Sequence, residues 1–210
     1  MNPHAQSLLS DLDVTLTKAS NVRRTDMLRR MTDLLLASAP SFPPEAVAIF
    51  NAVMQRLTQE VEPKALIELS GRLAAVSSAP PELIARLSQS DDIAVSGPVL
   101  EKSDLLTDDT LVGVAMTKGL GHLLAIAGRV QINDVVTDVL VDRGDPAVRC
   151  KVTANAGALL SERGFAKLIT EARNDKALAA LVAKRNDIPP ELAALPQNGA
   201  WLSALHSARI

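Results

Sequence analysis

Apolar residues recur along most of this chain at intervals of three and four, which places them on one side of an α-helix. Such stripes cover residues 27–35, 47–57 and 66–73, and a weaker one covers residues 8–16. The proline-containing break SAPSFPP separates the stripe at 27–35 from that at 47–57, and a second break, SSAPP, follows the stripe at 66–73. The pattern predicts a small bundle of three or four helices over residues 1–78.

The second half of the chain alternates short apolar segments with acidic bends. In residues 140–149, LVDRGDPAVR, an apolar segment ends and Asp145 then precedes Pro146. An aspartate can accept hydrogen bonds from the first-turn N–H groups of a helix, and proline is tolerated at the first helical position. Asp145 is therefore predicted to cap a helix. Asp92 and Asp187 follow an apolar residue at the same offset, so both are predicted to be caps as well.

These bends predict a repeating pair of helices. The second helix of each pair would begin near residues 92, 121, 145 and 175, so a pair takes roughly 24 to 30 residues, fewer than the ~34 of common two-helix repeats. One pair cannot bury its apolar side alone, so neighbouring pairs stack. The predicted fold is all-α, a HEAT-like superhelix of stacked antiparallel helix pairs over residues 79–196, preceded by the bundle. A capping tail at 197–210 would complete one continuous unit, its apolar residues being Trp201, Leu202 and Leu205.

Several segments of the chain resemble known families. Asp-Pro-x-Val-Arg at 145–149 is similar to the turn of HEAT repeats, in which the aspartate caps the second helix and the arginine reaches a neighbouring repeat. Between Val22 and Leu195 the chain also resembles, in order, a bacterial family called domain of unknown function 2336. The matching pieces are RRTDMLRRMTDLLL, APPELIARLSQSDDIAVSGPVLEKS, HLLAIAGR, VTDVLVDRGDPAV, NAGALLSERGFAKL and ARNDKALAALVAKRNDIPPEL.

This second resemblance implies an all-helical, HEAT-like fold. It implies no reaction, because the family has none assigned. Relatives often continue further at the C-terminus, which leaves open that the chain is part of a longer protein.

Composition narrows the function classes. Hydrophobic residues make up 47% of the chain but aromatic ones only 2%, which favours close helix packing over a β-sandwich or barrel. The net charge of −2 gives no overall attraction to nucleic acid or to anionic membranes. The single cysteine, Cys150, excludes an intrachain disulfide and fits a reducing compartment. With no signal peptide and no apolar stretch of ~18 residues, a cytoplasmic protein without membrane association is expected.

Five polar residues are the candidates for a small pocket or a partner-binding ridge, namely His122, Arg129, Asp138, Arg143 and Asn155. In the alternative interpretation, His122 simply starts a helix, and the two arginines pair with aspartates between repeats. A catalytic histidine would need a nucleophile or a water within hydrogen-bond reach, and the sequence indicates neither. GxSxG, HExxH, CxxC and GxGxxG motifs are also absent. No enzyme activity, cofactor or metal is predicted.

The first functional hypothesis is a non-enzymatic helical-repeat protein, an interaction or regulatory scaffold. It would bind another protein through the groove lined by the second helices of residues 92–184, and a homodimer remains open. One alternative is a nucleic-acid-binding HEAT-like protein, which the lack of tyrosine and the pI of 5.9 disfavour. Another is a module that senses a small ligand near His122, Arg129 and Arg143.

Overall fold

A computed structural model describes residues 19–38, 44–59 and 61–193. Within these ranges the chain forms twelve α-helices and no strand, so the predicted all-α fold is confirmed. The helices are α1 (Asn21–Ser38), α2 (Pro44–Leu57), α3 (Pro63–Leu73), α4 (Pro81–Ser88), α5 (Ile93–Lys102), α6 (Asp108–Thr117), α7 (Leu120–Ala127), α8 (Asp134–Arg143), α9 (Pro146–Ala154), α10 (Glu162–Ala172), α11 (Lys176–Ala183) and α12 (Pro190–Ala193). The weak stripe at 8–16 and the tail at 197–210 lie outside the described residues. No helix in the described ranges is long and apolar enough to cross a membrane.

Side-chain caps begin several helices at the predicted bends. The Asp92 carboxylate accepts from the backbone N–H of Ala94 at 2.9 Å, at the start of α5. The Asp145 carboxylate accepts from Ala147 at 3.0 Å and from Val148 at 3.2 Å, at the start of α9. Such a cap contributes about 1 kcal/mol, because it satisfies N–H groups that have no partner inside the helix. The other side-chain caps of this kind are Thr107, Ser161 and Asp175.

Asp187 does not cap a helix, although its sequence context predicted that it would. The next helix, α12, begins three residues later at Pro190. A residue that precedes proline is disfavoured in the helical conformation, so Pro189 and Pro190 keep Ile188 and Pro189 out of a helix. The Asp187 carboxylate instead accepts from Arg185, at 2.8 Å from Nε and 2.5 Å from Nη2.

The chain divides into two compact units between Leu106 and Thr107, whereas the sequence placed the boundary between residues 78 and 79. Helix α3 packs against α5 across the predicted boundary, and the Ser70 hydroxyl donates to the carbonyl of Val95 at 2.5 Å. The break SSAPP is therefore a turn inside the first unit, and α4 and α5 belong with the helices that precede them.

The first unit has two rows of helices. Helices α1, α3 and α5 contact one another in succession, and α2 contacts α4. Two reciprocal ion pairs join α1 to α3, Arg29 to Glu68 at 2.8 Å and Arg72 to Asp33 at 2.5 Å. These side chains are largely exposed, so the pairs fix the position of one helix on the other more than they stabilise the fold.

The second unit repeats this arrangement with three pairs. Helices α6, α8 and α10 contact in succession and form what we call the even row, and α7, α9 and α11 form the odd row. Each even helix also packs on the odd helix that follows it. The space between the rows is filled almost wholly by aliphatic side chains, including Val114, Ile126, Val136, Leu140, Val148, Val152, Leu168, Leu178 and Val182, with Phe165.

A short bridge joins two loops of the second unit. The N–H of Ile132, between α7 and α8, donates to the carbonyl of Gly157 at 3.0 Å. The N–H of Leu159, between α9 and α10, donates to the carbonyl of Ile132 at 2.8 Å. The bridge holds successive helix pairs together at one end of the unit.

Candidate functional site

Asn155, one of the five candidates, holds the end of a neighbouring helix. It follows α9, and its Nδ2 donates to the carbonyls of Ala127 at 3.1 Å and Arg129 at 2.7 Å, where α7 ends. Its Oδ1 accepts from the N–H of Gly157 at 2.9 Å. The last carbonyls of a helix have no partner within it, so this amide completes the C-terminus of α7.

Arg143 does the same in the even row. Its Nη1 donates to the carbonyl of Ala115 and, at 3.4 Å, to that of Lys118, where α6 ends. A cation at this position also favourably meets the negative end of the helix dipole. The alternative interpretation paired this arginine with an aspartate, but its partners are backbone oxygens.

The other three candidates lie elsewhere in the second unit. The Asp138 carboxylate accepts from the Ser161 hydroxyl at 2.6 Å, beside the start of α10. His122 and Arg129 are both buried, one in the first turn of α7 and one after its last turn. The structure brings Asn155 to the backbone of Arg129, but Asp138 and Arg143 are engaged at the ends of two other helices. Asn155, Asp138 and Arg143 therefore link helices.

Arg185 belongs to this set of linking residues but was missed from sequence. Its guanidinium donates to the carbonyls of Thr153 at 3.3 Å, Asn155 at 3.0 Å and Ala158 at 2.8 Å, and its side chain is only 8% exposed. It also lies 5.6 Å from the ring centroid of Phe165. Arg185 is the second residue after α11, the position that Arg129 has after α7, and an alignment of these two helix ends would have revealed it.

The end of α8 is held by three cations. Arg149 Nε donates to the carbonyl of Val141 at 3.2 Å. Lys167 Nζ lies 2.8 Å from the Asp142 carboxylate, and Arg163 pairs with that carboxylate too. The hydrogen bond from Lys167 is the main reason that the pKa of Asp142 lies below its usual value, and the charges of Lys167 and Arg163 add to it.

This lowered pKa predicts how stability depends on pH. Asp142 stays ionised in the folded chain at pH values where the unfolded chain already binds the proton, so its contribution is present above about pH 4 and is lost as pH falls below it. Asp142→Asn should flatten the fall in unfolding free energy below pH 4. The effect is under about 1 kcal/mol because the carboxylate is partly solvated. Urea titrations between pH 3 and 7 measure it.

The matched control for this measurement is Asp104→Asn, at an exposed aspartate in the turn after α5. Its profile should follow that of the original chain. Parallel profiles for the original chain and the Asp142 variant would show that the ion pairs of Asp142 contribute nothing.

An open cleft lies between the ends of α9 and α11. Its volume is about 440 Å³, and it is lined by Thr153, Ala154, Ala156, Leu181, Lys184, Arg185, Asn186 and Asp187. Two of its charged groups, Arg185 and Asp187, bind each other. Small or apolar side chains and the exposed Lys184 and Asn186 are thus left to meet a ligand.

The cleft is part of a longer surface. Positions i, i+3, i+4 and i+7 of a helix share one side, and in each odd helix these positions are exposed or half-buried. We call this surface the odd-row face. It consists of Gly121, Leu124, Ala125 and Gly128 beside Ala147, Cys150, Lys151 and Ala154, then Ala177, Ala180, Leu181 and Lys184.

The described residues offer little for covalent or metal chemistry. Burial raises the pKa of the Cys150 thiol, and Asp175 adds to the effect, so the less nucleophilic protonated form is favoured. Among the described residues, no group of three or more His, Cys, Asp or Glu is placed to hold a metal ion.

Within each unit the described helices stack in two rows, and polar side chains join helix ends, so the described part of the chain is all-helical. Residues 95–195 match the model of domain of unknown function 2336, a family described as an uncharacterised protein conserved in bacteria. Over these residues the chain matches that family, and the resemblance seen in its sequence is confirmed there. The match begins in α5 and includes both rows of the second unit, while the resembling pieces before Val95 lie outside it. Comparison with curated proteins and with solved structures finds no match.

Proposed function

We propose that the chain is a non-enzymatic helical-repeat protein that binds another protein through the odd-row face. The observation that carries this proposal is the contrast between two sets of side chains. Asn155, Arg143 and Arg185 are turned to helix ends and hold the repeats together. The odd-row face is solvent-accessible, largely apolar and indented by the cleft, which is the character of a binding surface.

The stacking of the helices supports the same proposal. Each helix of the second unit contacts the next but one, and we infer a HEAT-like superhelix from this alternation. Proteins of stacked repeats commonly bind partners along one row of helices, because the row is a continuous surface. We place this activity in the cytoplasm, where Cys150 would remain reduced.

The alternative of a small ligand near His122, Arg129 and Arg143 has less support. The guanidinium of Arg143 is engaged at the end of α6, and both other side chains are buried at opposite ends of α7. The odd-row face is the better candidate because its side chains are accessible and it contains the cleft.

Photo-crosslinking in cells that make the protein tests the proposal. A photo-reactive residue at Ala154 or Ala177 in the odd row should form a discrete adduct with one protein, identified by mass spectrometry. The matched control is the same residue at Thr170, an exposed position in the even row. Absence of adducts, or equal adducts from Ala154 and Thr170, would contradict the proposal. Adducts that nuclease removes would favour the nucleic-acid alternative.

A further inference from the structure

The two rows of the second unit carry opposite charge. Helices α7, α9 and α11 contain no acidic residue, and their charged residues are Arg149, Lys151 and Lys176. The even helices contain seven acidic residues against three basic ones, Arg143, Arg163 and Lys167; the acidic ones are Asp108, Asp109, Asp134, Asp138, Asp142, Glu162 and Glu171. The odd helices therefore carry net positive charge although the whole chain has a net charge of −2. Their nearest carboxylates are engaged: Asp145 and Asp175 cap α9 and α11, and Asp187 pairs with Arg185.

Three lysines on the odd row remain available to a partner. Arg149 is used within the unit, where it donates to Val141 and pairs with Glu171 at 3.3 Å. Lys151, Lys176 and Lys184 are exposed, and among the described residues none of them forms an ion pair. Lys184 lines the cleft, and Lys151 lies one turn before Ala154, which lines it too.

The odd-row face thus combines an apolar cleft with lysines at its rim. Ala154, Ala156 and Leu181 supply small or aliphatic contacts inside the cleft, which suit the apolar side chains of a peptide. Lys151 and Lys184 supply charge beside them. Charged groups at the rim of an interface chiefly select the partner and speed its association.

Two other occupants are less suited to this surface. Single-stranded nucleic acid would call for aromatic side chains that stack on bases, and α7, α9 and α11 contain no Phe, Tyr or Trp. The chain's own residues 194–210 contain no aspartate or glutamate, so they offer no charge complementary to the lysines.

We propose that the odd-row face binds an acidic, amphipathic segment of its partner protein. Apolar side chains of the segment occupy the cleft between α9 and α11, and its carboxylates meet Lys151 and Lys184. This inference rests on the proposed function and adds the chemistry of the partner to it.

Peptide selection tests the inference. The full chain is used to select from a displayed library of random peptides, and the recovered peptides should be rich in aspartate, glutamate and large aliphatic residues. The affinity of the strongest peptide is then measured by fluorescence anisotropy. It should fall at least about tenfold in Lys151→Glu/Lys184→Glu, because attraction at both lysines becomes repulsion. It should also weaken as salt is added.

The matched control is Lys102→Glu/Arg173→Glu, which changes the net charge equally at two exposed positions outside the odd row. It should alter the affinity less than twofold. A peptide with lysine in place of its acidic residues should bind the double odd-row variant better than the original chain.

The possible failures are distinguishable. Recovery of neutral or basic peptides, of none, or an affinity unchanged in Lys151→Glu/Lys184→Glu would overturn the acidic partner while leaving the crosslinking result to decide the proposed function. Binding of a random-sequence DNA duplex that the double variant loses would replace the acidic protein segment by nucleic acid. Light scattering that shows self-association abolished by the double variant would identify a second copy as the occupant.

Discussion

Arg185→Ala is expected to lower the free energy of unfolding by about 3 kcal/mol. The substitution removes the donors to three backbone carbonyls at the end of α9, in a place where the side chain is 8% exposed. It also removes the contact with the Phe165 ring and the ion pair with Asp187. Leaving carbonyl groups without donors costs more free energy in this site than at the surface, because water replaces the guanidinium poorly here. Equilibrium unfolding in urea measures the change.

Two matched variants separate geometry from charge. Arg185→Lys keeps the charge but cannot reach several carbonyls with one planar fork, so it should recover only part of the loss. Lys184→Ala alters the adjacent exposed residue and should change stability by less than about 0.5 kcal/mol. If Arg185→Ala were as mild as Lys184→Ala, the role of Arg185 in holding the repeats would be refuted.

Gly157→Ala should destabilise the chain by a similar amount, about 3 kcal/mol. A Cβ at this position would lie 1.8 Å from the carbonyl oxygen of Val130, and backbone cannot move aside as a flexible side chain can. The loops must separate, which breaks the bridge of Ile132 to Gly157 and Leu159. Thermal and urea unfolding both report the loss.

Gly113→Ala is the control for the glycine substitution. Gly113 lies inside α6, and a Cβ there would meet nothing within 4 Å. Alanine should therefore stabilise the chain by about 0.5–1 kcal/mol, through its better helix propensity. A Gly157→Ala chain as stable as the original would mean that the loops of the second unit are not held as described.

Local signals explain which features could be predicted from sequence. The caps at Asp92 and Asp145 depend on residues within one turn, so the sequence contains everything needed to infer them. Asp187 has the same local context, but the two prolines after it delay the start of the next helix to Pro190. Arg185, missed from sequence, acts on carbonyls about thirty residues away, and no periodicity within one helix reveals such contacts.

The apolar stripes predicted the helices better than they predicted the buried sides. Leu34 and Ile67 belong to the apolar stripes at 27–35 and 66–73, whose residues should face the core, but their exposures are 48% and 38%. Thr32 and Ser70 are buried instead. Each hydroxyl donates to a backbone carbonyl, that of Thr32 to Leu28 at 2.8 Å, so a polar residue is accommodated in the core.

The proposed binding surface was the feature that the sequence predicted least well. A helical pattern separates buried positions from exposed ones, but it does not say which exposed side meets a partner. The sequence predicted a groove lined by the second helices of residues 92–184, and the charge contrast between rows is visible only once the helices are assigned to rows. His122 and Arg129 were candidates because they are polar residues in an apolar segment, yet both are buried.

Amide hydrogen exchange of the full chain, with and without the strongest acidic peptide from the selection, most directly tests whether the odd row is the interaction surface. The largest slowing of exchange should occur in residues 146–154 and 176–184. Residues 134–143 and 162–172, in the even row, should change least. Slowing confined to the even row would contradict the account, since it would place the partner on the acidic side of the unit.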